Sequence, residues 1–217
     1  MALFSRPFLY FPGCLASSVL PGIVENYRAL FEKFKIDYAM LPEETCCGAV
    51  AKNNGYQADF FAIHEKNTVS FTHRKVKFIV TNSGPCMKTF ALDYGIKVQH
   101  ASQILSKYVN KMPVKYEEEI SIYDSPLLSI YEDPRKILEG LGFDVIELKH
   151  NKENSVLCGA EGGMIQNVPQ LADKLSHSVF DLCRTKKLVV TEPLAYFHLK
   201  RNAPKNIQVL ELSEVML

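Results

Sequence analysis

The sequence lacks the features that mark several large classes of protein. Its 25 basic residues balance 24 acidic ones, so the net charge of +1 gives no indication of a nucleic-acid surface. Its apolar runs stay well below the roughly 18–20 residues that a membrane-spanning helix needs. The N-terminus has no basic region followed by an apolar stretch, so we expect no secretion signal.

Familiar catalytic and cofactor motifs are missing as well. The sequence contains no phosphate-binding loop, no serine nucleophile elbow and no H-E-x-x-H motif. It also lacks the close C-x2-C pairs of closed zinc sites and the C-x2-C-x2-C-x3-C-P run of ferredoxins. No flavin site, nicotinamide site or catalytic residue can therefore be assigned.

Cysteine is present in an informative pattern. Six cysteines without a secretion signal indicate a reducing, cytoplasmic compartment, where clustered cysteines more often bind metal than form disulfides. Cys46 and Cys47 are adjacent and precede Gly48, with Cys14 and Cys86 on either side. Four thiolates that converge on one point form a soft, anionic site suited to an iron–sulfur cluster or to zinc.

The order of elements predicts the fold. Short apolar segments, such as 38–41 and 77–81, alternate with helical patterns along the whole chain. This alternation predicts an α/β protein with small parallel sheets flanked by helices. Ligands of such sheets lie beyond the carboxyl ends of the strands, and each of the four cysteines follows a predicted strand. We therefore expect the four thiols to meet at one edge of one sheet.

The chain also contains an internal duplication. The Cys-Gly pair at Cys47 recurs at Cys158, at an offset of 111 residues, and neighbouring strands match at a similar spacing. We therefore predict two pseudo-symmetric repeats, 1–107 and 118–217. The polar segment 108–117 is predicted to be the linker between them.

Each remaining candidate has a structural alternative. The four cysteines could be buried core residues, since free cysteine is common in protein interiors. Cys158 is either structural or an extra ligand that reaches the N-terminal site. Cys183 is expected in the middle of a helix, as a core residue. Asp124 and Glu192 follow strands, where they could line a polar pocket or cap helices.

The cysteine motif resembles a known family. Cys14, the Cys46-Cys47-Gly48 run and the Ser83-x-x-Cys86 run resemble the cysteine-rich CCG domain. That domain occurs in the B-type component of heterodisulfide reductases, in lactate-utilisation A-type iron–sulfur oxidoreductases, and in the iron–sulfur components of glycolate oxidase and anaerobic glycerol-3-phosphate dehydrogenase. The family carries the domain twice, in agreement with the repeat.

The resemblance implies one iron–sulfur cluster, with zinc as the alternative, and a set of ligands for it. The implied ligands are Cys14, Cys46, Cys47 and Cys86, with Cys158 as an additional candidate. Ser83 stands where the full family motif has a further cysteine, which favours a 4Fe–4S cluster and the lactate-utilisation branch. In the second repeat the motif has decayed, because the counterparts of Cys14, Cys46, Ser83 and Cys86 are Pro126, Leu157, Glu192 and Ala195.

The implied function is that of an iron–sulfur electron-transfer or catalytic subunit of a multi-subunit oxidoreductase. Its complex would resemble heterodisulfide reductase or a lactate oxidation complex, with a ferredoxin-like or flavin-containing partner subunit. That partner could hold the protein at the inner face of the membrane. A small 2-hydroxy acid, a disulfide or a quinone would be the substrate. The alternatives are a zinc-bound or metal-free assembly protein and a thiol–disulfide redox protein that uses Cys46 and Cys47.

Overall fold

The chain folds as two α/β units. The computed structural model describes residues 7–43, 45–128 and 130–217, so the N-terminal segment in which no signal was expected lies outside it. The units are Met1–Ala101 and Ser102–Leu217. Each contains a parallel sheet flanked by helices, which confirms the predicted fold class. The predicted repeat boundaries and linker stay a prediction.

The first unit has a three-stranded parallel sheet in the order β1-β2-β3. In the register, Tyr10 lies opposite Val80 and Thr81 lies opposite His100. In chain order the elements are β1 (Leu9–Tyr10), α1 (Cys14–Val19), α2 (Pro21–Lys33), α3 (Ala49–Asn53), α4 (Gln57–His73), β2 (Phe78–Thr81), α5 (Gly84–Leu92) and β3 (Lys97–His100).

Hydrophobic periodicity explains the longer elements of this unit. Ile23, Tyr27 and Phe31 recur at helical spacing along α2, and all are at most 4% exposed, so this face of the helix enters the core. Adjacent residues Ile79 and Val80 of β2 are both fully buried. A central strand of a parallel sheet is covered on both faces, which requires such a continuous apolar run.

One predicted strand of this unit is wrong. Instead of a strand over 38–41, the structure has a single parallel bridge between Ala39 and Leu9. Pro42 follows three residues later and has no N–H to donate, which is consistent with the chain leaving the sheet edge there. The short helices α1 and α3 were not predicted, because fewer than two turns give no periodic signal.

The second unit has a four-stranded parallel sheet in the order β5-β4-β6-β7. Short 3-10 segments lie at Ser106–Lys111, Lys152–Asn154 and Glu161–Gly163. The helices and strands are α6 (Ala101–Leu105, at the unit boundary), β4 (Glu118–Tyr123), α7 (Glu132–Gly140), β5 (Phe143–Glu147), α8 (Met164–Asn167), α9 (Pro169–Leu182), β6 (Lys187–Val190), α10 (Pro193–Asn202), β7 (Gln208–Glu211) and α11 (Leu212–Met216).

Two sequence-based interpretations change in the second unit. Asp124 forms a buried, bidentate pair with Arg135, at 2.9 and 2.7 Å, and therefore does not line an open polar pocket. Cys183 is not in the middle of a helix: it follows the last residue of α9 in extended backbone and is half-buried. Its Sγ lies 3.5 Å from the carbonyl oxygen of Thr185, as a donor to it.

Candidate cysteine site in the first unit

Three loops of the first unit carry the four predicted ligands. Cys14 is the first residue of α1, Cys46 and Cys47 lie in the loop before α3, and Cys86 lies in the first turn of α5. Burial increases along this series: Cys14 is exposed and Cys46 half-buried, whereas Cys47 and Cys86 are only 4% and 3% exposed. The site therefore has a solvent side and a buried side.

The first and third loops approach each other closely at Gly13. A Cβ atom at this residue would lie 3.2 Å from both the Sγ of Cys86 and the Cβ of Ser83. Gly13 also has a φ of 89°, which non-glycine residues rarely adopt. Glycine is therefore required here for two reasons, and its backbone brings Cys14 alongside the loop that carries Cys86.

The four thiols interact with one another in a chain. The Cys46 sulfur is hydrogen-bonded by Cys14 and by Cys47, Cys47 also interacts with Cys86, and Cys14 is electrostatically coupled to Cys86. In the described ranges, no group of three or more His, Cys, Asp or Glu side chains is arranged so that it could hold a metal ion. None of the six cysteines forms a disulfide.

One of the four sulfurs is strongly stabilised as a thiolate. Hydrogen bonds from Cys14 and Cys47, with a further one from the Gly48 N–H at 3.3 Å, lower the pKa of Cys46 to about 2. The same hydrogen bonds, together with burial, raise the pKa values of Cys14 and Cys47 above the ordinary thiol value. Cys46 is thus favoured as the thiolate over its neighbours Cys14 and Cys47.

A second layer of residues, which the sequence reasoning missed, fixes the Cys46–Cys47 backbone. Asn67 donates to the Cys46 carbonyl oxygen at 2.8 Å and to the Tyr94 hydroxyl at 3.0 Å. Tyr94 in turn donates to the Cys47 carbonyl oxygen at 3.2 Å. His64 packs against Tyr94, with ring centroids 4.3 Å apart.

A sequence signal for this layer did exist. Asn67 lies on the same face of α4 as Phe60 and Phe71, and it is only 1% exposed. A buried amide among aromatic residues needs hydrogen-bond partners. A polar residue on the apolar face of a helix could therefore have been marked as a support for something nearby, although its partners could not have been named.

The buried side of the site is apolar. Cys47 and Cys86 belong to a core cluster that includes Phe11 and Phe90, whose rings meet edge to face with centroids 4.8 Å apart. A thiol in such surroundings is shielded from water, and shielding of this kind is one of the factors that set the reduction potential of a cluster.

The second unit keeps the same backbone positions with different side chains. Ser83 is the N-cap residue of α5, and its counterpart Glu192 is the N-cap residue of α10. Cys86 and Ala195 are each the third residue of those helices. Glu192 and Ala195, which replace Ser83 and Cys86 in the second motif, therefore stand at the same positions of the matching helix.

Around Cys158 the second unit forms a buried acidic cluster. The Sγ of Cys158 donates to the Oε1 of Glu161 at 3.4 Å, and burial raises its pKa. Glu192 is fully buried, and its Oε1 has no hydrogen-bond partner. Burial, reinforced by Glu161 and Glu211, raises the pKa of Glu192 to about 7. A neutral thiol beside carboxyl groups differs from the thiolate site of the first unit.

Comparisons with known proteins agree with the resemblance recognised in the sequence. Residues 8–91 match the family described as the CCG cysteine-rich domain. The chain is 26% identical to the EtfAB:quinone oxidoreductase of Syntrophomonas wolfei, over 86% of this chain and 29% of that protein. It is 25% identical to one subunit of the dihydromethanophenazine:CoB–CoM heterodisulfide reductase of Methanosarcina barkeri, over 78% of this chain and 47% of that protein.

A shorter relative matches from end to end. Lactate utilization protein A 2 of Bacillus cereus is 24% identical, with 94% of both chains covered. By contrast, the chain spans less than half the length of the other two relatives. Within the described residues, no helix combines the length and the apolar character needed to cross a bilayer.

Proposed function

We propose that this protein is an iron–sulfur subunit of a multi-subunit oxidoreductase, because residues 8–91 match the cysteine-rich CCG domain. One cluster, of the 4Fe–4S type, is held by Cys14, Cys46, Cys47 and Cys86. The observation that carries the proposal is the approach of the three segments that hold these cysteines: a Cβ at Gly13, next to Cys14, would lie 3.2 Å from the Cys86 sulfur, and Cys47 and Cys86 share one core cluster.

By residue type the donor set suits such a cluster, although the described side chains do not form a ready-made site for a metal ion. Four cysteine thiolates are the usual ligands of a 4Fe–4S centre, and the Cys46 sulfur is already stabilised as an anion by the Gly48 N–H. When bound, the cluster would supply one-electron transfer. Binding requires the remaining thiols to lose their protons, so the low pKa of Cys46 favours the first step of assembly.

The surrounding residues have separate tasks. Tyr94 and Asn67 hold the Cys46–Cys47 backbone, so that the two adjacent sulfurs keep one orientation. Phe11 and Phe90 exclude water on the buried side. Cys14 is exposed, so electrons would enter or leave on its side.

Partners and substrate follow from the relatives. A heterodisulfide reductase component and a quinone oxidoreductase are among them, which supports a ferredoxin-like or flavin-containing partner subunit. A small 2-hydroxy acid, a disulfide or a quinone remains the proposed substrate, with the lactate utilization relative supporting the first. Six free cysteines support a reducing, cytoplasmic location.

The first test is metal and acid-labile sulfide analysis of anaerobically purified protein, together with its visible spectrum. We expect about four irons and four sulfides per chain. Cys47→Ala should lose most of the iron, because it removes the sulfur that links Cys46 to Cys86. Cys183→Ala is the matched control, since Cys183 lies after α9 in the second unit, and it should keep the iron.

Four outcomes would redirect the assignment. Full iron content in Cys47→Ala would contradict the ligand set, and loss of iron in Cys158→Ala would mean that both units contribute to one site. Zinc in place of iron would favour the assembly role. Reversible oxidation of two thiols without metal would favour thiol–disulfide chemistry, for which the stabilised Cys46 thiolate beside Cys47 is the supporting observation.

A further inference from the structure

A cavity of about 300 Å³ opens in the first unit at the carboxyl end of β1. Its walls are the end of this strand, the helices α1 and α2, and the loop that leads to Cys46. Pro12, two residues before Cys14, and Thr45, directly before Cys46, are both wall residues. The pocket therefore adjoins two of the three loops that carry the cysteine site.

The described wall residues are mainly apolar, and their charges balance. Prolines, aromatic rings and aliphatic side chains, among them Val24, form most of the surface. Among the described wall residues, one is acidic, Glu25, and one is basic, Arg28; they lie on the same helix and offset each other. Arg28 also donates a hydrogen bond to the Tyr38 side chain, so it is already partnered and is a weak anchor for an anionic ligand.

Hydrogen-bond donors are nevertheless available in the walls. The Oγ1 of Thr45 is buried and has no hydrogen-bond partner, which is uncommon for a buried hydroxyl. Ser17 provides a second hydroxyl. A ligand with carbonyl oxygens could accept from these groups, which would remove the cost of leaving the Thr45 hydroxyl unsatisfied.

We infer that this pocket binds a flat, uncharged ring that bears carbonyl oxygens, the chemistry of a quinone. The volume is at the lower end of the range of about 300–1,000 Å³ for small-molecule sites, so it suits one or two fused rings better than a nucleotide cofactor. The apolar walls suit the faces of the ring, and the hydroxyls suit its oxygens. The ring's role as electron donor or acceptor rests on the proposed function, but its binding does not.

The test is calorimetric titration of the whole chain, anaerobically, with 2,3-dimethyl-1,4-naphthoquinone. The ring positions open to attack by thiols are blocked in this probe, so that binding is not confused with cysteine arylation. We expect saturable, one-to-one binding, whether or not iron is present. Val24→Phe, which fills the pocket, should weaken binding at least about tenfold. Val69→Phe, the same change at an exposed position of α4, should not.

A milder variant tests the hydrogen bond. Thr45→Val keeps the shape of the side chain, removes the hydroxyl and should weaken binding about fivefold. Absence of saturable binding, or equal binding by wild type and Val24→Phe, would overturn the inference. So would stoichiometric binding of benzoate that disappears in Arg28→Gln, because the pocket would then be an anion site. Iron content, measured on the same samples, reports separately on the proposed function.

Discussion

At the carboxyl edge of its sheet the first unit gathers four sulfurs, whereas the second unit gathers carboxyl groups around a single buried thiol. The helix starts show the same contrast. The N-cap residues Gly13, Gly48 and Ser83 of the first unit make no side-chain capping bond. In the second unit, Glu192 caps α10 and Glu211 caps α11.

This contrast concerns how the starts of the helices are stabilised in each unit. The three helix starts beside the cysteines lack side-chain capping, which is worth roughly 1 kcal/mol per helix, as do α7, α8 and α9 of the second unit. At the starts of α10 and α11, by contrast, glutamates cap and stabilise the helices. The same frame thus places cysteines beside helix starts in one unit and capping carboxyl groups at helix starts in the other.

The largest expected effect compares the two glycines that follow Cys47 and Cys158. A Cβ at Gly159 would lie 2.3 Å from the backbone oxygen of Ala172, whereas at Gly48 it would lie 2.8 Å from the ring of Phe60. A backbone atom cannot move aside as a ring can. We expect Gly159→Ala to lower the free energy of unfolding by about 3–5 kcal/mol, and Gly48→Ala to lower it by less.

Urea denaturation of both variants would measure this difference. Gly55→Ala is the control, because Gly55 also has a positive φ, of 84°, but no atom lies within 4 Å of its added Cβ. It should show only the backbone strain, about 1 kcal/mol. Equal losses in all three variants would mean that φ alone, and not the close approach, requires glycine at these positions.

A smaller effect concerns the pH dependence of the acidic cluster. Moving the pKa of Glu192 from 4.5 to about 7 on folding corresponds to about 3 kcal/mol. The folded chain binds this proton more tightly than the unfolded chain, so stability falls as the pH rises from about 4.5 through 7. Glu192→Gln should keep the hydrogen bond from the Ala195 N–H and narrow the difference in stability between pH 5 and pH 8.

Urea midpoints at both pH values would provide the measurement. Glu139→Gln, at an exposed position of α7, is the matched control and should behave like the wild type. If Glu192→Gln retained the full pH dependence, the titrating group would have to be another member of the cluster.

The smallest effect tests the support of the cysteine site. Tyr94→Phe keeps the ring packed against His64 but removes the hydroxyl that bonds to the Cys47 carbonyl oxygen and to Asn67. We expect a loss of about 1 kcal/mol in stability, with iron still bound but released faster to a chelator. Tyr56→Phe, at an exposed position, is the control. Unchanged iron release would limit Tyr94 to a packing role.

Much of this molecule was predictable because it depends on local pattern. The buried run at Ile79–Val80 and the spaced apolar residues of α2 identified strand and helix correctly. The placement of cysteines just after strands was sufficient to expect their convergence. The strand over 38–41 failed because pairing depends on the neighbour that a segment meets, and here only Ala39 is paired.

Hydrophobic periodicity and residue spacing along the chain were enough to predict the alternation of strands and helices, the internal repeat and the cysteines of the first unit. Three features are visible only in the folded molecule. The Gly13 backbone lies close to the Cys86 sulfur, and Asn67 and Tyr94 hydrogen-bond the backbone of the Cys46–Cys47 loop. Glu192 is buried with one carboxyl oxygen unpaired. The first two join residues far apart in sequence. Burial and hydrogen bonding depend on which atoms from distant parts of the sequence come within a few ångströms of each other. Local periodicity does not indicate these contacts.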